Sequence, residues 1–195
     1  KLKILALDSS GNVASTAIIE EDRLLAEITM NYKKTHSQTL LPMIEHMCNM
    51  VEMDLDSVDY IAVASGPGSF TGLRIGVSTA KALAYALHKP IIGVPTLDGL
   101  AYNITYTNHV ICPIMDARRN QVYTAFYLWE NGLLTRQSDY LAIDINTCIE
   151  KARVYDRPII FLGDGVSVHK DIIGEKMDKS EYSFAPPSCN MQKAS

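Results

Sequence analysis

Three aspartates close apolar runs in this 195-residue chain: Asp8 after ILAL, Asp116 after CPIM, and Asp164 within GDG after PIIFL. Carboxylates at strand ends can hold Mg²⁺ on the phosphates of a nucleotide. The same residues form Asx turns, and for each aspartate alone the turn is the simpler reading. The five histidines offer no pair at i, i+3 or i, i+4, so a helical metal site is not expected and each reads as a surface or capping residue. His88, near a helix C-terminus, suits the dipole. The four cysteines (Cys48, Cys112, Cys148, Cys189) form no CxxC pair and read as reduced thiols rather than a disulfide frame or zinc site. No GxSxG elbow is present.

The stretch ASGPGSFTGLRIG (64–76) holds four of the eleven glycines between a strand and a helix, the layout of a phosphate loop. The register fails both nucleotide motifs. A Walker A loop counted from Gly66 or Gly68 meets Thr71 or Leu73 where glycine is required, and the loop has no Lys. GxGxxG fails because Phe70 and Thr71 follow the second glycine. Pro67-Gly68 instead reads as a turn, with Thr71 as the helix cap. Inside that helix Gly72, Gly76, Ala80 and Ala84 recur every fourth residue. Two helical glycines cost roughly 1 kcal/mol each against alanine, so close approach of another backbone is expected there.

The elements that must position these residues follow from periodicity. Strands are expected at 2–7, 14–19, 24–30, 58–64 and 89–94, with helices over 38–52, 71–87 and within 96–104. Pro42 requires the first helix to start close before it, or to kink. ILALDSSGNVASTAII (4–19) aligns without gaps on CPIMDARRNQVYTAFY (112–127), matching Asp8 to Asp116, Asn12 to Asn120, Thr16 to Thr124 and Ala17 to Ala125. A duplicated α/β lobe explains this, with mixed sheets flanked by helices, divided as 1–105 and 106–195. In the second half a helix at 144–153, a strand at 158–162 and a short helix from Ser167 are expected. The final stretch reads as the entry to a helix, so the second lobe is expected to lack its last one.

Both N-terminal helices carry more apolar surface than one sheet face needs. In the first, Leu41, Ile44, Cys48 and Val51 suit the sheet, and a second stripe of Leu40, Met43, Met47 and Met50 suits an adaptable partner surface. Net charge is −4 at an apolar content of 47%, which disfavours binding of a phosphate backbone by this chain alone. No apolar run reaches membrane-spanning length, and the N-terminus lacks a signal-peptide core, so a cytoplasmic protein is expected.

ILALDSSGNVASTAII, THSQTLLPMIEHM, ASGPGSFTGLRIGVSTAKALA, IIGVPTLDGLA, DARRNQVYTAFY and FLGDGV together resemble the TsaB (YeaZ) family, in order over nearly the whole chain. The resemblance implies the actin-like ATPase (ASKHA) fold of two related lobes. It implies a role in making N6-threonylcarbamoyladenosine at position 37 of tRNA, as non-catalytic companion of the homologue TsaD, with the ATPase TsaE. It further implies pairing through the two N-terminal helices, with TsaD or, in its absence, with a second copy. The expected interface is Leu40, Met43, Met47, Met50, Gly72, Gly76, Thr79, Ala80 and Leu83, and replacing Gly76 with a large residue is expected to abolish TsaD binding in a folded monomer. Contact with tRNA is expected only through the complex. The catalytic relative carries His-x-x-x-His where this chain has Thr96 and Leu100, so no catalytic or metal-binding residue is expected. Asp8, Ser10, Asp116 and Asp164 are the vestigial nucleotide positions, with no resident cofactor and at most weak ATP or ADP at an interface. The alternatives are an active ATPase or small-molecule kinase of the same superfamily, and a glycoprotease-like metallopeptidase.

Overall fold

The structure is a computed structural model and describes residues 1–32 and 36–195. Thr35, which opens the THSQTLLPMIEHM stretch, lies outside the described residues. The chain forms two compact units, Lys1–Thr96 with Gln192–Ser195, and Leu97–Met191. The division therefore falls earlier than 105/106. Its cause is helix α3 (Thr96–Tyr102), whose Leu97, Leu100 and Ala101 are buried with Ile111, Met115, Tyr127 and Leu162 in the core of the second unit.

The first unit contains β1 (Lys3–Asp8), β2 (Ala14–Glu20), β3 (Arg23–Met30), α1 (His36–Met50), β4 (Tyr60–Gly66), α2 (Phe70–Leu87) and β5 (Ile91–Pro95). Its sheet runs β3-β2-β1-β4-β5, antiparallel over the first three strands and parallel from β1 to β5. The central strand β1 is covered on both faces, which is why it reads as a continuous apolar run instead of alternating. α1 runs unbroken through Pro42. The cap of α2 is Ser69, not Thr71: Ser69 Oγ accepts from Gly72 N at 3.2 Å, while Thr71 lies exposed in the first turn.

The second unit contains α3, β6 (Val110–Asp116), β7 (Gln121–Thr124), β8 (Tyr127–Glu130), β9 (Leu133–Arg136), β10 (Leu141–Asp144), α4 (Ile145–Arg153), β11 (Ile159–Leu162), α5 (Gly165–Lys176) and β12 (Tyr182–Phe184). Its main path, β10-β7-β6-β11-β12, matches the first sheet strand for strand: antiparallel, antiparallel, parallel, parallel. The helices fall at matching places too, α1 and α4 before the fourth strand, α2 and α5 before the fifth. The β8–β9 hairpin is the addition, paired to β6 through β8. Leu7 faces Thr16 in the first hairpin and Ile114 faces Thr124 in the second, so the gap-free alignment slips by one residue across the turn.

Four features depart from the sequence reading. The second strand of the repeat is split into β7 and β8. The strands β9, β10 and β12 are only three or four residues each, too short to display a period. α5 begins at Gly165 and is twelve residues long rather than a short helix from Ser167. Residues 185–195 contain neither helix nor strand.

Candidate functional site

In the first unit β1 delivers Asp8 into a tight turn. Asp8 Oδ1 accepts from Ser10 N at 2.8 Å and Ser10 Oγ at 2.6 Å, and both residues are buried. Burial pushes the Asp8 carboxyl up to about 6, although the Ser10 bonds and the nearby His36 pull the other way. The next residue explains the glycines of the 64–76 loop. Ser9 Oγ donates to Gly72 O at 2.7 Å. A β-carbon on Gly72 would meet the Ser9 carbonyl oxygen, one on Gly76 the Ser9 hydroxyl, and one on Gly68 the Ser10 carbonyl oxygen. Ser69 N also donates to Ser10 O at 2.6 Å. The backbone that approaches this helix is thus the chain's own Ser9–Ser10 turn.

That geometry corrects much of the expected interface. Gly72, Gly76 and Ala80 are buried inside the unit. In α1 neither stripe is wholly inside: Ile44 of the first is buried with the sheet, and so are three residues of the second. Leu40, Met43 and Met47 face the sheet, packed with Ala14, Ile18 and Leu5, and Thr16 Oγ1 donates to Met47 Sδ at 3.6 Å. The small residues on β2 leave a shallow surface that long unbranched methionines can reach across. Leu41 is 53% exposed instead, and Cys48 and Val51 are half-buried. Of the expected contacts, Met50 is 69% exposed and Thr79 and Leu83 are half-buried. Leu41, Ile44, Cys48, Leu55 and Leu83, with Glu45 and Asn49, line a groove of about 350 Å³ between α1 and α2. Leu83 belongs to the expected interface, whereas Leu41 is expected on the sheet-facing stripe, so the sequence reading contains only part of this groove.

In the second unit the matching aspartate forms the matching turn. Asp116 Oδ1 accepts from Arg118 N at 3.0 Å, two residues on, as Asp8 does from Ser10. Asp116 N in turn donates to Asp164 Oδ1 at 3.2 Å, and burial raises the Asp164 carboxyl. Arg118, Arg119 and Asn120 are all left-handed (φ 65°, 52° and 61°). His169 joins this group: it is 1% exposed on α5, with Nε2 3.8 Å from Asp116 Oδ1. Its expected surface position is therefore corrected. The signal was its phase, since Val166, His169 and Ile173 share one face of α5 and all are buried. The structure brings Asp116, Asp164 and His169 together in one unit, and Asp8 with Ser10 in the other. His88 closes α2 as a left-handed C-cap.

The cysteines are free thiols. Cys112 and Cys148 are buried with Sγ atoms 3.7 Å apart, and burial pushes the Cys112 thiol up. Among the described residues no group of three or more His, Cys, Asp or Glu side chains is arranged to hold a metal ion. Nor, among them, is any helix long and apolar enough to cross a membrane.

Comparison with known proteins places this geometry. The family model described as TsaD, tRNA N6-adenosine threonylcarbamoyltransferase, matches residues 23–193. The Bacillus subtilis tRNA threonylcarbamoyladenosine biosynthesis protein TsaB is 40% identical over 179 residues, 90% of this chain and 78% of that protein. The protein of the same name from Buchnera aphidicola of Schizaphis graminum is 34% identical over 165 residues, 83% of this chain and 78% of its own. A solved Pseudomonas aeruginosa protein described as similar to peptidase YeaZ aligns over 100% of this chain and 87% of its own, with a TM-score of 0.81 at 24% identity. Component A of the Acidaminococcus fermentans (R)-2-hydroxyglutaryl-CoA dehydratase aligns over 95% and 92%, with a TM-score of 0.51 at 10% identity. These two likenesses concern the fold alone, which is the actin-like ATPase fold of two related lobes. The ordered motifs, the repeated strand pattern and these relatives agree, and the chain belongs to the TsaB (YeaZ) family.

Proposed function

We propose that this chain is the non-catalytic companion of a TsaD-like homologue in threonylcarbamoyl transfer to adenosine 37 of tRNA, working in the cytoplasm with a TsaE-like ATPase. The observation that carries the reading is the pair Thr96 and Leu100. They stand where the catalytic relative has its metal-binding histidines, and both are buried, at 2% and 1% exposure. Neither side chain is a plausible ligand for a transition metal. The commitment of the Asp8 carboxylate to Ser10 supports the absence of a resident nucleotide in the first unit. The pairing surface in this reading is the α1–α2 groove with Met50 and Thr79 beside it, used by the TsaD-like partner or by a second copy when that partner is absent. With a net charge of −4, tRNA contacts pass through the complex.

The test is reconstitution with the cognate TsaD and TsaE. The chain is expected to co-purify with TsaD, and omitting it to abolish modification of an unmodified tRNA transcript. Full modification without it would overturn the reading. Submicromolar binding of Mg-ATP by the chain alone, measured by calorimetry, would favour an ATPase instead.

A further inference from the structure

The proposed function makes no use of His169, the one buried histidine among the described residues. Its ring is 1% exposed, and neither Nδ1 nor Nε2 has a hydrogen-bond partner among those residues. Buried polar side chains are nearly always paired, so two idle ring nitrogens are an exception. Packing does not account for them. Val166 and Ile173 fill the same face of α5 with apolar side chains that carry no such cost.

The charges around the ring come from three elements. Asp116 ends β6, Asp144 caps α4 and Asp164 stands before α5. Asp164 Oδ1 accepts from Asp116 N at 3.2 Å, which brings these two carboxylates to one end of the sheet. The Asp144 carboxyl is held below the usual carboxylate range by Asn146 first, and the imidazole of His169 adds to that pull. The cations are Arg118 and Arg119 in the β6–β7 turn and Lys170 on α5, and among the described residues none of them pairs with the three aspartates. Lys170 and Asp171, which follow His169, are exposed.

One oxygen of Asp116 has two claimants. Oδ1 accepts from Arg118 N at 3.0 Å and so closes the turn in which Arg118, Arg119 and Asn120 are left-handed. His169 Nε2 lies 3.8 Å from the same Oδ1, beyond hydrogen-bond reach. A neutral imidazole has one N–H and no charge to draw a carboxylate in. The imidazolium has two N–H donors and forms charge-assisted bonds of about 2.8 Å. Histidine suits this position because its charge changes between about pH 5 and 8. We propose that His169 is a proton-operated switch of the β6–β7 turn: the imidazolium captures Asp116 Oδ1 and loosens its bond to Arg118, and the neutral ring returns that oxygen to the turn.

The test is a nuclear magnetic resonance titration of the isotope-labelled full chain from pH 8 to pH 5. It reads the Cε1 proton of His169 and the amide of Arg118, both assigned by triple-resonance experiments. The Arg118 amide is expected to move with the same midpoint as the His169 ring. In His169→Gln it should stay still over this range. Asp116→Asn keeps an acceptor for Arg118 and removes the charge, so the movement should fall by at least about half while the ring still titrates. Thermal melts at pH 8 check that the variants fold, and Asp116→Asn, at an exposed position, carries the comparison if His169→Gln does not. A ring that does not titrate in this range would overturn the proposal. So would an Arg118 amide that stays still, follows another midpoint, or moves undiminished in either variant.

Discussion

Asp8 is a carboxylate held in a buried turn, and its environment has a measurable consequence. Its pKa, raised from 3.8 to about 6, means that the folded state holds the proton more tightly than the unfolded chain. The protonated carboxyl therefore contributes stability that is full below about pH 4 and is lost as the pH rises through about 6, worth about 3 kcal/mol at most. Asp8→Asn keeps an acceptor for Ser10 and removes the charge. Urea midpoints at pH 4 and pH 8 should show the variant gaining on the parent chain as the pH rises. A variant that loses ground to the parent as the pH rises would contradict the burial argument. The glycines make a second contrast. Gly72→Ala forces a methyl against the Ser9 carbonyl and should destabilise the first unit by roughly 1–3 kcal/mol. Gly99→Ala, in α3 with nothing within 4 Å, should be neutral or stabilising by up to about 1 kcal/mol. Thermal melts of the two variants decide it. The same geometry revises the expectation for Gly76, where a large residue would disturb the fold before it could report on a partner.

Among the elements, α1 shows how periodicity finds a helix without orienting it. Its sequence shows two apolar stripes, of which the branched, compact one suits a sheet face. The sheet beneath is lined by Ala14 and Thr16, and there the longer methionines reach further. Met47 is fully buried, so Met47→Ala should destabilise by about 2–5 kcal/mol. Leu41→Asp places a charge on the exposed rim of the groove. It should leave the melting temperature within a few degrees and weaken co-purification with TsaD at least about tenfold, since Leu41 lines the groove that the partner covers in this reading and a charge buried there is disfavoured. If Leu41→Asp binds normally while Met47→Ala melts early, the pairing surface lies elsewhere.

On the scale of the whole molecule, duplication is the organising fact. Two sheets of matching order and direction each end their first strand in an aspartate that closes an Asx turn, yet the turns differ in use. The first is buried and serves as packing for α2. The second is exposed, left-handed over three residues, and has a buried histidine behind it. A single ancestral turn has thus been kept as architecture in one unit and left open in the other.

The sequence by itself determined the fold class, the duplication, the major strands and helices, and the failure of the glycine loop as a nucleotide motif. Those properties follow from local order: a period, a spacing, a turn residue. Tertiary structure alone decided which residues of each α1 stripe are inside, which backbone approaches Gly72 and Gly76, and that His169 is buried beside Asp116. It also decided that α3 belongs to the second unit. Each of these depends on side chains far apart in sequence meeting in space, and a stripe of apolar residues carries no label saying whether its cover is the chain's own sheet or another molecule.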